Sequence, residues 1–263
     1  MLRVGLLCLL SLACSGRDPD PEPTPPVLEE PVPDPELIEL PALEGGAHVQ
    51  MGVVAIPAGK AIHLAGSRDQ EVLVHIRRGA LMPYPTQSVL RIRQPVTFQA
   101  EEDSEILLAL VRARETPFPA AVDADATSEG RRVRVVNRET HEVLPFAGGK
   151  LRVKIFFEQE EDGLAHGALS LLDADADLSV PEHVHEQSAE VLFIESGDGT
   201  MILGEERFAI EPGKVIYVPP NTNHGYEAGT QPLRAMQIYA PPGPEQRFRG
   251  PPPRSDADGP EAP

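Results

Sequence analysis

Short runs of β-branched and aliphatic residues, broken at close intervals by Gly, Pro, Asp or Asn, limit most strongly what this chain can fold into. They include Val53–Ile56, Glu71–His75, Val89–Arg93, Ile106–Val111, Val133–Val136 and Leu151–Phe157. Ala168–Leu172, Glu190–Ile194, Met201–Leu203, Arg207–Ile210, Val215–Val218 and Arg234–Tyr239 continue the series. Runs of this length suit strands, and their turn-residue punctuation suits a sandwich or barrel. No amphipathic helix of full length stands among them. Leu203-Gly204-Glu205-Glu206 predicts a tight hairpin turn.

The two ends are of another kind. Many of the 29 prolines crowd into them. Arg3, the apolar run Val4–Leu12 and then Ser11-Leu12-Ala13-Cys14 form a targeting segment, residues 1–13, to be left out of fold reasoning. The apolar run is too short to span a bilayer as a permanent helix. The segment resembles a bacterial lipoprotein signal, which implies lipidation at Cys14. Ser11 stands where such signals usually carry Leu, and ordinary signal peptidase would cut the same bond after Ala13. Cys8 is lost with the signal, so Cys14 is the one cysteine left and no intramolecular disulfide can form. Residues 14–40 read as a Pro/acidic tether, and residues 249–263 as a disordered tail. The implied location is the periplasmic face of a bacterial membrane, as an outer-membrane lipoprotein anchored through Cys14. A net charge of −18 disfavours nucleic acid, whose phosphates require Lys and Arg, and no DNA or RNA partner is expected.

Chemistry concentrates late in the chain, at His183-Val-His185, Glu190 and His224. A His-x-His pair in a strand puts both imidazoles on one face. Three imidazoles and a carboxylate form a mixed N/O set suited to one divalent Mn, Fe, Ni, Zn or Cu ion. Glu182 and Glu186 read as solvated rim charges, and Tyr217, Asn223 and Tyr226 as turn and packing residues.

A faint repeat adds to this. Gln70-Glu71-Val-Leu-Val-His75-Ile-Arg-Arg-Gly79 parallels Ala189-Glu190-Val-Leu-Phe-Ile-Glu-Ser-Gly197. His63-Leu-Ala65 then falls near His183-Val-His185, and Val96–Phe98 near Val215–Tyr217. Two similar β units follow, with Glu71 matched to Glu190. The first lacks the second and third histidines. A rearranged His63, Glu71, His75 site is the minor alternative to a unit that has lost its metal. His48, His141 and His166 have no partners at ligand spacing.

These motifs resemble those of cupins. The first cupin motif is met by His183-Val-His185, four residues, Glu190, six residues and Gly197. The second is met by Gly213, five residues, Pro219-Pro-Asn221-Thr-Asn-His224. Asn221 replaces the usual Gly, a mild change because Asn tolerates a left-handed backbone. Ala228 replaces a final Asn that is not a ligand. The resemblance implies an all-β chain of two cupin-type jelly-roll barrels, a bicupin. A degenerate barrel would occupy residues 41–120 and a metal-binding barrel residues 121–248. It also implies His183, His185, Glu190 and His224 as metal ligands, with coordination positions left for a small organic ligand. Cupins include dioxygenases, isomerases and lyases, so the fold does not choose an activity, and no catalytic residue is identified. A non-catalytic sensor of small ligands, or a scaffold in the cell envelope, is the alternative.

Overall fold

The computed structural model describes residues 36–113, 132–159 and 166–250. The signal, Cys14, most of the tether and nearly all of the tail lie outside the described residues. The rest is built almost wholly of antiparallel strands, as the runs predict.

Two barrels share the chain. In the first, one sheet runs in the spatial order Glu44–Gly45, Val49–Ile56, Ser104–Arg112, Gln70–Arg78, Ser88–Ile92, Val133–Asn137. Ala61–Leu64 pairs with Val96–Gln99 opposite it. In the second, one sheet runs Leu144–Phe146, Leu151–Phe157, Ala168–Ala174, Leu233–Ala240, Ala189–Ser196, Val215–Val218. A four-stranded sheet, Val180–His183, His224–Ala228, Gly199–Leu203, Glu206–Ile210, faces it.

Strand alternation sorts side chains among three cores. Val72, Val74 and Ile76 fill the first barrel with Val54, Ile106 and Leu108. Ile194, Met201, Ile216, Tyr226 and Ala235 fill the second, with Leu192 packed against them. The residues between them on the same strands face the other barrel. Leu73, Val89, Leu107 and Ala109 meet Val191, Phe193, Met236 and Ile238 there. A bulge between Ile155 and Phe157 breaks the alternation and lets both Phe156 and Phe157 join that junction.

Local turn chemistry follows the residues. Leu203 pairs with Glu206 across the Gly204-Glu205 loop, and Gly204 has φ +60°. Asn221 takes φ +57°, the left-handed conformation expected of it. At Gly197 a Cβ would sit 2.5 Å from the Pro232 carbonyl oxygen, so no larger residue fits.

One expectation needs correction. Val133–Asn137, assigned by the boundary near residue 120 to the second barrel, pairs with Ser88–Ile92 of the first, from Val133 opposite Ile92 to Asn137 opposite Ser88. Strand partnership changes between Asn137 and Leu144. Composition marks a strand but not the sheet edge it covers, and the free edge of Ser88–Ile92 lay nearer in space.

The junction is a true core, so trimming it should be costly. Phe193 is 1% exposed, and Arg77 stacks 4.9 Å from its ring centroid. Phe193→Ala is expected to cost about 3–5 kcal/mol in denaturant unfolding. A loss below about 1 kcal/mol would mean that the barrels do not depend on one another.

Candidate metal centre

Each ligand is delivered by a different feature of the second barrel. Glu190 lies on Ala189–Ser196, where even-numbered residues point inward. Val180–His183 is an edge strand, which tolerates Pro181 because one side has no ladder to fill. His183 sits directly opposite His224 in that pairing. His185 follows on the loop, and its carbonyl accepts the Asn221 backbone N–H at 2.8 Å. The left-handed turn at Asn221 thus ties the two motifs together.

One potential ligand atom from each of His183, His185, Glu190 and His224 lies within 4.8 Å of the others. Ring centroids are 4.8 Å apart for His183 and His185, 4.3 Å for His183 and His224, and 5.0 Å for His185 and His224. Glu190 and His224 are buried. His183 Nδ1 donates to the Pro181 carbonyl and His224 Nδ1 to the Thr222 carbonyl, both at 2.8 Å. Those bonds fix the tautomers and turn Nε2 toward the centre.

The Nε2 atoms of His183 and His185 are buried without any hydrogen-bond partner. Leaving such atoms unmet is unfavourable, and a cation accepting both lone pairs removes the penalty. Glu190 Oε2 lies 3.1 Å from His224 Nε2 and 3.4 Å from His185 Nε2. The residues present therefore fit a divalent transition metal.

A second layer supports the carboxylate. Gln237 Nε2 donates to Glu190 Oε1 and, at 2.8 Å, to the Tyr239 hydroxyl. Gln237 Oε1 accepts the Ser170 hydroxyl at 3.1 Å, which fixes the amide's orientation. Arg247 Nη2 donates to the same Tyr239 oxygen at 2.9 Å. Beside His185, a cavity of about 410 Å³ opens between Glu186, Ser188, Gly243, Pro244 and Arg247.

Electrostatics agree with this layout. Burial pushes the Glu190 carboxyl up, but the neighbouring His185 and His224 imidazoles and Gln237 outweigh it and hold the group ionised, well below the usual carboxylate range. Burial lowers His183 to about 4, against the Pro181 carbonyl, so it is neutral at neutral pH. Burial also opposes charge on His224, yet the Glu190 hydrogen bond raises it overall. Tyr239 is pushed well up by burial and by the Glu190 charge and stays a phenol.

The first barrel holds no such cluster among the described residues. His63 is exposed, with Nδ1 3.0 Å from the Thr97 hydroxyl. Glu71 accepts from Arg91 Nη2 at 3.3 Å and from the Gly167 N–H at 3.0 Å. The match of Glu71 to Glu190 is corrected by facing. Val72, Val74 and Ile76 point into the first barrel, which turns Glu71 and His75 out toward the junction. A one-residue slip reverses every side chain of a strand, so the motif alignment misplaced the whole set. His75 meets Arg138 Nη1 at 3.3 Å, and Arg138 forks onto Glu195 at 2.8 and 2.5 Å.

Other residues behave as expected. Tyr226 packs and donates to the Asp198 carbonyl at 2.7 Å, and Asn223 donates to Glu182. His141 and His166 bond to the backbone carbonyls of Ile155 and Arg68. Sequence reasoning missed Gln237, Tyr239 and Arg247. Gln237 left one signal, a polar residue inside the apolar run Arg234–Tyr239.

Residues 173–239 match the family described as a cupin domain. An uncharacterized protein of Methanocaldococcus jannaschii is 39% identical over 61 residues, 23% of this chain and 49% of that protein. One of Streptomyces coelicolor is 29% identical over 75 residues, 28% of this chain and 70% of that protein. The match thus spans about half the length of the first relative. Among solved structures, the Lactobacillus farciminis oxalate decarboxylase formate complex aligns with TM-score 0.52 and 13% identity, covering 73% of this chain and 77% of that one. Bacillus subtilis oxalate decarboxylase at pH 4.6 aligns with TM-score 0.50 and 15% identity, covering 79% and 78%. At these identities the likeness is one of fold alone, two jelly-roll β-barrels in one chain.

His75 gives a pH test. Burial first, and then Arg138, lower it from 6.5 to about 4. Between those values the unfolded chain binds the proton and the folded chain does not, so stability rises with pH across the window. In metal-free protein, His75→Gln should flatten that rise by up to ~1.4 kcal/mol per pH unit at its steepest. His183 supplies a residual slope. Unfolding free energies at pH 4.5 and 6.5 check this, and equal slopes in both proteins contradict it.

Proposed function

We propose that this chain, a bicupin whose cupin domain matches residues 173–239, binds one divalent transition metal through His183, His185, Glu190 and His224 and acts on or binds a small organic molecule there. The observation that carries this is the pair of buried imidazole nitrogens, on His183 and His185, with no partner but one another's company and an ionised carboxylate. Mn, Fe, Ni, Zn and Cu all suit the donor set. Bound there, such an ion supplies Lewis-acid or redox chemistry. The chain's own residues do the rest. Gln237 orients Glu190, the two backbone carbonyls orient His183 and His224, and the apolar wall of Leu192 and Ile194 keeps bulk water from the inner side.

Elemental analysis of purified, metal-reloaded protein tests the assignment. Wild type and His63→Ala are expected to hold about one equivalent, and His185→Ala to lose most of it. Equal losses in the two variants would contradict the site.

One observation favours binding without turnover as a second reading. Within hydrogen-bond reach of Glu190 and its support stand an amide, Gln237, and a phenol held protonated, Tyr239. Neither is a base at neutral pH, so this wall is built to hold a ligand rather than to take its proton. A ligand-induced rise in melting temperature without product would support a sensor. Metal-dependent oxygen uptake or product release would support an enzyme.

Export and lipidation at Cys14 belong to the same proposal, supported by the charged, apolar and small-residue order of residues 1–14. The mature protein in a bacterial host should begin at an acylated Cys14 and sediment with membranes, and Cys14→Ala should abolish both. Mass spectrometry of the N-terminal peptide decides this. An intact Met1 start, or an unmodified Cys14, would contradict lipidation.

A further inference from the structure

At one end of their junction the two barrels part and leave a cavity of about 650 Å³, room enough for a small molecule. None of the four candidate metal ligands lines it. Four cations do: Arg77 from the first barrel, Lys154 and Arg234 from the second, and Arg138 from the crossover between them. Four carboxylates accompany them. In a chain with 41 Asp and Glu against 23 Lys and Arg, that parity is a local concentration of positive charge.

The carboxylate oxygens are largely committed. Arg138 forks onto both oxygens of Glu195, at 2.8 and 2.5 Å. Arg138 is braced in turn by its backbone N–H, which donates to the Gln87 carbonyl at 2.9 Å, and by the buried His75 ring behind it. Asp173 accepts from Arg152 on Oδ1 at 2.9 Å and from Arg234 on Oδ2 at 2.7 Å, so one negative charge serves two guanidinium groups. Glu105 Oε1 accepts from Arg77 at 2.6 Å. Glu139 is exposed, and solvent screens its charge.

The donors are not committed to the same degree. A guanidinium carries five N–H groups and an ammonium three. Among the described residues Arg77 gives one hydrogen bond, to Glu105, and Arg234 gives one, to Asp173. Lys154 Nζ donates to the backbone carbonyls of Arg138 and Glu139 at 2.6 and 3.0 Å, which fixes the ammonium in place and leaves its third N–H. Burial first, and then the Arg138 charge, lower Lys154, with Arg234 acting in the same sense against Glu139 and Asp173. The cleft thus holds a surplus of donors and of positive charge, presented from both barrels.

We propose that this cleft between the barrels is a binding site for a phosphoryl dianion, held by Arg77 from one side and by Lys154 and Arg234 from the other. A carboxylate is planar and is satisfied by one fork. A tetrahedral group offers oxygens on several sides and can meet donors from both walls at once. The cavity is larger than a phosphoryl group alone requires, and Leu171 gives it an apolar wall, so a small phosphate monoester suits it better than the free ion. A ligand gripped from both sides also ties the barrels together. The site is independent of the metal reading.

Calorimetric titration with inorganic phosphate, with glycerol 3-phosphate and with acetate tests this, in full-length protein both metal-loaded and chelator-treated. Wild type is expected to bind both phosphates equally well with and without metal, and to ignore acetate. Arg77→Gln and Arg234→Gln, on opposite walls, should each weaken phosphate by about tenfold or more. Arg234→Gln leaves Asp173 paired with Arg152, and an unchanged unfolding midpoint confirms that each variant is folded. Lys154→Arg should retain more affinity than Lys154→Gln. Tighter binding of glycerol 3-phosphate supports the site with a monoester as its ligand, and tighter binding of phosphate supports it with the free ion. Wild type that binds neither phosphate at millimolar concentration, or that binds acetate as well, overturns the proposal. So does binding that disappears with the metal, or that is indifferent to both arginine variants.

Discussion

Everything in the second barrel turns on the two-residue period of one strand, Ala189–Ser196. Its even positions, Glu190, Leu192 and Ile194, face the barrel interior and its odd positions, Val191 and Phe193, face the other barrel. A single strand therefore carries the site's carboxylate on one side and half of the inter-barrel core on the other. Register is over-determined in such a strand, because a slip by one residue would bury Glu190 in the junction and push Val191 into the site. The neighbours Val215–Val218 and Leu233–Ala240 are fixed to the same alternation, with Glu190 opposite Val218 and Tyr239.

The centre itself is an unpaid electrostatic arrangement. An ionised carboxylate and three largely buried imidazoles are held together by bonds that serve only to aim them. The buried Nε2 atoms of His183 and His185 make no hydrogen bond, although the Glu190 carboxylate stands 3.4 Å from that of His185. Such a cluster opposes folding unless something positive fills it. The outer layer follows the same logic: Ser170 donates to Gln237, Gln237 donates to Glu190 and to the Tyr239 oxygen, and Arg247 on the rim donates to that same oxygen.

Much of this was legible in the residues. The His-x-His pair, Glu190 and His224 stand at the spacing of the motifs they resemble, so the four could be picked out as candidates without a structure, although His185 falls on the loop after Val180–His183 and not in the strand as expected. The strands built of Val, Ile and Leu were visible in composition. Val180–His183 and His224–Ala228 were not, because Pro, Glu and His carry no strand signal and the pairing between them exists only once the barrel closes. Glu71 and His75 misled, since a likeness of letters says nothing of which face a strand presents. Arg247 was invisible in sequence because its hydrogen bond to the Tyr239 hydroxyl exists only in the folded chain.

The most direct test of the central claim is diffraction from metal-loaded crystals at the absorption edge of the bound ion. The account predicts one anomalous peak in the second barrel, about 2.0–2.2 Å from the Nε2 atoms of His183, His185 and His224 and from a Glu190 oxygen, with none near His63 or His75. A peak elsewhere, or a loaded crystal with His183 and His185 still facing empty space, would contradict it.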